Sequence, residues 1–146
     1  MPKAQPHINV DGQDVPVSNL DKVLFPRGPV TKAQVIDYYL RISDYLLPHL
    51  YNRPVTLKRY PNGVQAGFFY EKDAPRFTPE WVKPFLVPRR ESKGTIRYVL
   101  INDRPTLAWL ANLANLELHP FLHRIPHIGG RQRSFLISIR ERERMF

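Results

Sequence analysis

The 146-residue sequence contains no cysteine. That removes disulfides, cysteine-ligated zinc, iron–sulfur clusters and thiol catalysis together, and fits a reducing cytosol. No run approaches the ~20 apolar residues of a membrane span. The start, Met1-Pro2-Lys3-Ala4-Gln5-Pro6, lacks the apolar stretch of a signal peptide. The expected setting is the cytoplasm, with no membrane partner. A Walker loop, a Gly-rich dinucleotide fingerprint and a Gly-x-Ser-x-Gly elbow are also missing. Acidic residues are scarce, 13 Asp and Glu against 22 Lys and Arg, for a net charge of +9. Two-metal phosphoryl chemistry needs converging carboxylates, and the candidates are poor. Asp11 and Asp14 belong to a predicted hairpin, and Glu141 and Glu143 are neutralised by their arginine neighbours. Such a basic excess points to nucleic acid before an anionic membrane surface. From its residues alone, the chain reads as a nucleic-acid-binding domain without a catalytic centre.

What is present suits one α/β domain, of mixed α+β type. A chain this long can bury about two-thirds of its unfolded surface. Fifteen prolines are spread along it and mark boundaries between short elements. Residues 8–18 alternate around Asp11-Gly12, which predicts a tight hairpin. Thr31 and Gln34 form a capping box, with Val30 and Val35 as a hydrophobic staple around it. Val35, Tyr39, Ile42, Leu46 and Leu50 then give one buried face of a single helix, ended by prolines 48 and 54. Strands are predicted over 55–60, 68–72, near 85–88 and over 95–101. Asp103 and Pro105 open a second helix, with Leu107, Leu110, Ala111 and Ala114 as its face.

Three groups of residues could carry chemistry. Lys32 lies at a helix N-terminus, where free N–H groups and the dipole favour an anion; Lys22 and Asn19 sit in the loop before it. The plain alternative is a pair of solvated loop charges. Lys58-Arg59 and Phe69-Tyr70 lie on consecutive strands, and interleaved cations and rings suit phosphates and bases; core or edge packing of the rings is the bland reading. His119, His123 and His127 recur every four residues. On one helix they would align as metal ligands, but Pro120 and Pro126 argue against that helix. His119 alone suits a hydrogen-bonding or nucleotide-contacting role, with a satisfied structural histidine as the default reading.

Several segments, in order and with near-identical spacing, resemble one family: Val17-Ser18-Asn19-Leu20-Asp21-Lys22-Val23-Leu24-Phe25-Pro26, Thr31-Lys32, Arg53-Pro54-Val55-Thr56-Leu57-Lys58-Arg59-Tyr60-Pro61-Asn62-Gly63, Phe69-Tyr70-Glu71-Lys72 and Leu116-Glu117-Leu118-His119-Pro120. This is the polymerase domain of bacterial ATP-dependent DNA ligase D, in the archaeo-eukaryotic primase superfamily. The resemblance implies a template-dependent nucleotidyltransferase that adds nucleotides at broken ends in non-homologous end joining, with Mn²⁺ or Mg²⁺. It implies a nucleoid-associated bacterial setting, DNA ends with a 5′-phosphate as ligand, and a Ku-type protein and a ligase domain as partners. Carried over, Asn19, Lys22 and Lys32 match the 5′-phosphate pocket. Lys58, Arg59, Phe69 and Tyr70 match template and backbone contacts, and His119 matches a nucleotide-proximal histidine.

The family's Asp-x-Asp strand, its Ser-x-His-type motif and a third metal-binding aspartate have no counterpart among the 146 residues. The expectation is the N-terminal part of such a domain over 1–127, with no catalytic or metal residue of its own, no bound cofactor, and no polymerisation by itself. Rival expectations are a non-catalytic 5′-phosphate-binding module and a poorly folded pseudogene product. Residues 128–146 form an arginine-rich tail. From Arg124 onward there are six arginines against two glutamates, nearly half of the basic excess. Read from the third base of Arg133's codon, allowed codons spell Leu-Val-Phe-Asp-Leu-Asp-Pro-Gly-Ala-Gly-Ala-Asp, which resembles the family's catalytic strand. The tail is therefore expected to be out of frame, with the shift near residues 129–133.

Overall fold

The computed structural model describes residues 4–91 and 93–125. The arginine-rich tail, its frame-shift reading and His127 lie outside them. Strands β1 (His7–Val10) and β2 (Gln13–Pro16) form the expected hairpin. Asp11 and Gly12 turn it with φ of 52° and 87°, the left-handed pair that matches strand twist in a two-residue loop. Two short strands not expected from the sequence follow, β3 (Val23–Phe25) and β4 (Val30–Thr31), paired antiparallel.

Helix α1 (Lys32–Arg41) starts on the capping box of Thr31 and Gln34, with both reciprocal hydrogen bonds made. The single helix expected through Leu50 is instead two. The chain bends at Ile42 before α2 (Ser43–Leu50). At the bend Ser43 Oγ donates to the Leu40 carbonyl at 2.7 Å and accepts from Arg104 Nε at 3.1 Å. A hydroxyl bonded to nearby backbone competes with the helical ladder, and Pro48 removes a further N–H from α2.

The main sheet is antiparallel throughout its described pairings. It contains β5 (Pro54–Arg59), β6 (Phe69–Glu71), β7 (Pro84–Pro88), β8 (Thr95–Leu100) and β9 (Asn115–Pro120). Strand β5 is the hub. One edge pairs with β9 over Val55 to Arg59, while the other is shared by β8 at Pro54 and Val55 and by β6 at Leu57 to Arg59. Helix α3 (Arg104–Asn112), capped by Asp103 and led by Pro105, is buried from Pro105 to Asn112. A helix apolar on all sides belongs inside. Its Leu107, Trp109 and Leu110 join Val35, Ile36 and Tyr39 of α1 and Val55 and Leu57 of β5 in one core.

The helices thus take one face of the sheet, while on the other Tyr98 packs edge-on against Phe121 at 4.9 Å. Leu57 and Leu118 are cross-strand partners on the core side. Side chains alternate along a strand, so Lys58 and its partner Glu117 point away from the core.

Candidate functional site

Two clusters flank β5, one at each face. The first is built on the loop before α1. Asn19 has φ of 51°, a left-handed conformation that asparagine tolerates better than most residues, and its carbonyl accepts the Lys22 N–H at 3.0 Å. The turned loop then caps the helix: Lys32 N–H donates to the Lys22 carbonyl at 2.8 Å and Ala33 N–H to that of Leu20 at 2.9 Å. The N–H groups expected to be free for an anion are therefore already used by the loop, and what remains for a ligand is the side-chain charge.

That charge is unusual. Lys32 is only 6% exposed, which excludes the solvated-loop alternative for it. Its ammonium donates to the Ser18 carbonyl at 2.8 Å and meets no carboxylate among the described residues. Burial pushes its pKa below the usual lysine value, and the charges of Lys22 and Arg59 push it the same way. Ser18 is held in turn by Asn112 of α3, whose Oδ1 accepts the Ser18 N–H at 2.9 Å. Lys22 Nζ donates to Asn62 Oδ1 at 3.0 Å. Asn62 is fixed because the next residue, Gly63, packs on β3. A Cβ there would sit 2.9 Å from the Leu24 carbonyl oxygen, and φ is +94°.

Arg59 belongs to this side. Its guanidinium donates to Glu71 at 3.2 Å and to the Leu113 carbonyl at 3.1 Å, and lies 5.0 Å from the centroid of Phe69. Phe69 and Tyr70 are both exposed, as a contact surface requires, but on opposite faces of the sheet.

The second cluster carries Lys58, Tyr70 and His119. Lys58 lies between its cross-strand partners Tyr70 and Glu117. Glu117 Oε1 accepts from Lys58 Nζ at 3.1 Å and from the Tyr60 hydroxyl at 2.6 Å, while its Oε2 is 3.1 Å from His119 Nε2. Those hydrogen bonds, that from Tyr60 foremost, lower the Glu117 pKa to about 2. The Tyr60 hydroxyl and then Glu117 hold the Lys58 ammonium above its usual range, against desolvation. Lys58 is thus largely spent inside the protein. Its side chain is 13% exposed, and its Nζ lies 4.0 Å from the centroid of Phe68.

The structure therefore gathers Asn19, Lys22, Lys32 and Arg59 on one side and Lys58, Tyr70 and His119 on the other. Sequence reading missed Asn62, Phe68, Tyr60 and Glu117 as members. The signal for Glu117 was its spacing of two from His119, which aligns both on a strand. No cluster of three or more His, Cys, Asp or Glu side chains able to hold a metal exists among the described residues. Glu71 and Glu117 are engaged by cations. The described residues thus do not fit a Mn²⁺ or Mg²⁺ centre. No helix among them is long and apolar enough to cross a membrane.

Residues 31–136 match the family described as LigD, primase-polymerase domain. The chain is 45% identical over 105 residues to the multifunctional non-homologous end joining protein LigD of Mycolicibacterium smegmatis, covering 72% of this chain and 14% of that protein. It is 39% identical over 105 residues to the bifunctional non-homologous end joining protein LigD of Bacillus subtilis, covering 71% and 16%. Among solved structures it is similar to the polymerase domain from Mycobacterium tuberculosis ligase D in complex with DNA. There the TM-score is 0.73 at 38% identity, covering 80% of this chain and 40% of that one. The fold is that of the polymerase domain, and the chain spans a small part of the curated relatives it matches.

Proposed function

The chain belongs to the LigD primase-polymerase family, and from that premise we propose that it is the DNA-end-reading part of a polymerase domain in non-homologous end joining. The observation that carries this reading is Lys32. A buried ammonium with only a carbonyl for a partner costs stability, and the cost is offset when an anion arrives. Lys22 and Arg59 share the pocket side, and Asn19 shapes its loop. The chemistry that fits is a terminal phosphate, here the 5′-phosphate at a DNA break. The DNA in the related solved structure supports the ligand class.

Arg59 and Phe69 extend the pocket along one face of β5, toward the backbone and template. Lys58, Tyr70 and His119 form the other face, His119 toward an incoming nucleotide. Nucleotide transfer is left to metal-binding carboxylates that the described residues do not supply. The chain by itself therefore binds DNA without extending it, and a Ku-type protein and a ligase domain are its partners in the assembled pathway. Because Asn19, Lys22 and Lys32 all lie within one short loop and helix start, the same pocket serves equally in a stand-alone end-binding module.

The test is binding of the full chain to gapped DNA with and without a 5′-phosphate, followed by fluorescence anisotropy. Phosphate should tighten binding on the order of tenfold, as for a lost hydrogen bond to a charged group. Lys22→Ala should erase that preference and lower the salt slope by about one. Equal binding to both DNAs would overturn the reading. Robust primer extension by the chain with Mn²⁺ would overturn its inactivity.

A further inference from the structure

Outside the phosphate pocket, side chains on the face of the sheet away from the helices close into a ring. The Tyr60 and Phe68 centroids are 5.6 Å apart, and Phe68 and Tyr70 meet edge-on at 5.6 Å. Tyr70 meets His119 edge-on at 5.8 Å. Glu117 completes the circuit, accepting from Tyr60 and contacting His119. Lys58 occupies the middle, its Nζ 4.0, 5.4 and 5.5 Å from the centroids of Phe68, Tyr60 and Tyr70.

Two of these rings turn much of their surface to solvent. Phe68 is 53% exposed and Tyr70 56%. They are nonetheless fixed by the ring and cation contacts beneath them, so ordering them on binding costs little further entropy. Every base has a flat π face, and an aromatic surface takes one without reading its identity.

We propose that Glu117 is the positioning residue of a nucleobase-stacking surface: its carboxylate locks Lys58, Tyr60 and His119 so that Phe68 and Tyr70 present a preset platform for one unpaired base. An ionised carboxylate only accepts hydrogen bonds. His119 must therefore carry its hydrogen on Nε2, and Nδ1 is the nitrogen left for a ligand. Phe69 takes no part, since it lies on the opposite face with Arg59. The proposal rests on the functional reading above, which sets Tyr70 and His119 toward template and nucleotide.

The experiment uses the full chain and a gapped DNA carrying 2-aminopurine at the unpaired template position beside a 5′-phosphate. Stacking should quench the probe on binding to the wild type, and Phe68→Ala or Tyr70→Ala should remove most of the quenching. Glu117→Gln should also lose at least half of it while keeping the 5′-phosphate preference. In the same variant, ¹⁵N spectra of His119 should move from the Nε2–H tautomer to a mixture. Tyr60→Phe, which deletes one donor and keeps the ring, should fall between wild type and Glu117→Gln and serves if the latter does not fold. Unchanged quenching, or an unchanged His119 tautomer, in a folded Glu117→Gln chain overturns the positioning role. A wild type that prefers the phosphate but shows no quenching overturns the platform and spares the functional reading. A wild type that binds no DNA overturns both.

Discussion

Lys58 and Arg59 are consecutive, yet their side chains leave β5 on opposite faces and pair with different carboxylates, Lys58 with Glu117 at 3.1 Å and Arg59 with Glu71 at 3.2 Å. A dipeptide that reads as one basic patch in the sequence is two separate devices. Strand β5 links the phosphate pocket to the aromatic face away from the helices.

The two substitutions should therefore differ. Arg59→Met strands Glu71, one of whose oxygens is already buried without a partner, and should lower the unfolding free energy by about 1–3 kcal/mol. Lys58→Met leaves Glu117 with its Tyr60 and His119 contacts and should cost less. Denaturant titrations of both variants decide it; a larger loss for Lys58→Met contradicts the assignment of faces.

Lys32 should show a trade of stability for binding. Its pKa is lower in the folded chain than the usual 10.5, so the folded state binds fewer protons over that window. The charge opposes folding in full below the lowered value, and stability rises as pH climbs from there toward 10.5. Lys32→Met should raise the melting temperature at neutral pH, flatten the alkaline rise and abolish the 5′-phosphate preference. A lower melting temperature with preference intact would show that the ammonium is a structural group.

Glu117 has the opposite sign. Its carboxylate is held down to about 2 from 4.5. The stability it contributes is complete above pH 4.5 and lost as pH falls toward about 2. Melting temperatures recorded across that range should drop more steeply for the wild type than for Glu117→Gln. Parallel curves would mean that the carboxylate is no better bound in the folded chain than in the unfolded one.

Gly63 tests how the pocket is held. Alanine there meets both a positive φ of +94° and a backbone oxygen at 2.9 Å, a strain on the order of 1–3 kcal/mol. Because the neighbouring Asn62 holds Lys22, Gly63→Ala should weaken the phosphate preference as well as the fold. Loss of stability with full preference would detach the turn from the pocket.

Local signals were legible wherever a few neighbouring residues set the conformation. Asp11-Gly12 fixed the hairpin, Thr31 and Gln34 the start of α1, and Asp103 with Pro105 the start of α3, because turn and cap chemistry act within four residues. The ordered segments carrying Asn19, Lys22, Lys32, Lys58, Arg59, Phe69, Tyr70 and His119 were enough to identify the family. The break at Ile42 was not legible, since Arg104 from a distant helix holds Ser43 there. Nor was the burial of Lys32, which depends on Ser18 and, through it, on Asn112 of α3. Glu117 gains its meaning only when β5 and β9 come into register and set it beside Lys58, Tyr60 and His119. Sequence determines which local turns and helix caps form and which charges the chain carries; the pairing of distant strands decides which of those charges is buried, which is spent on a neighbour and which is left for a ligand.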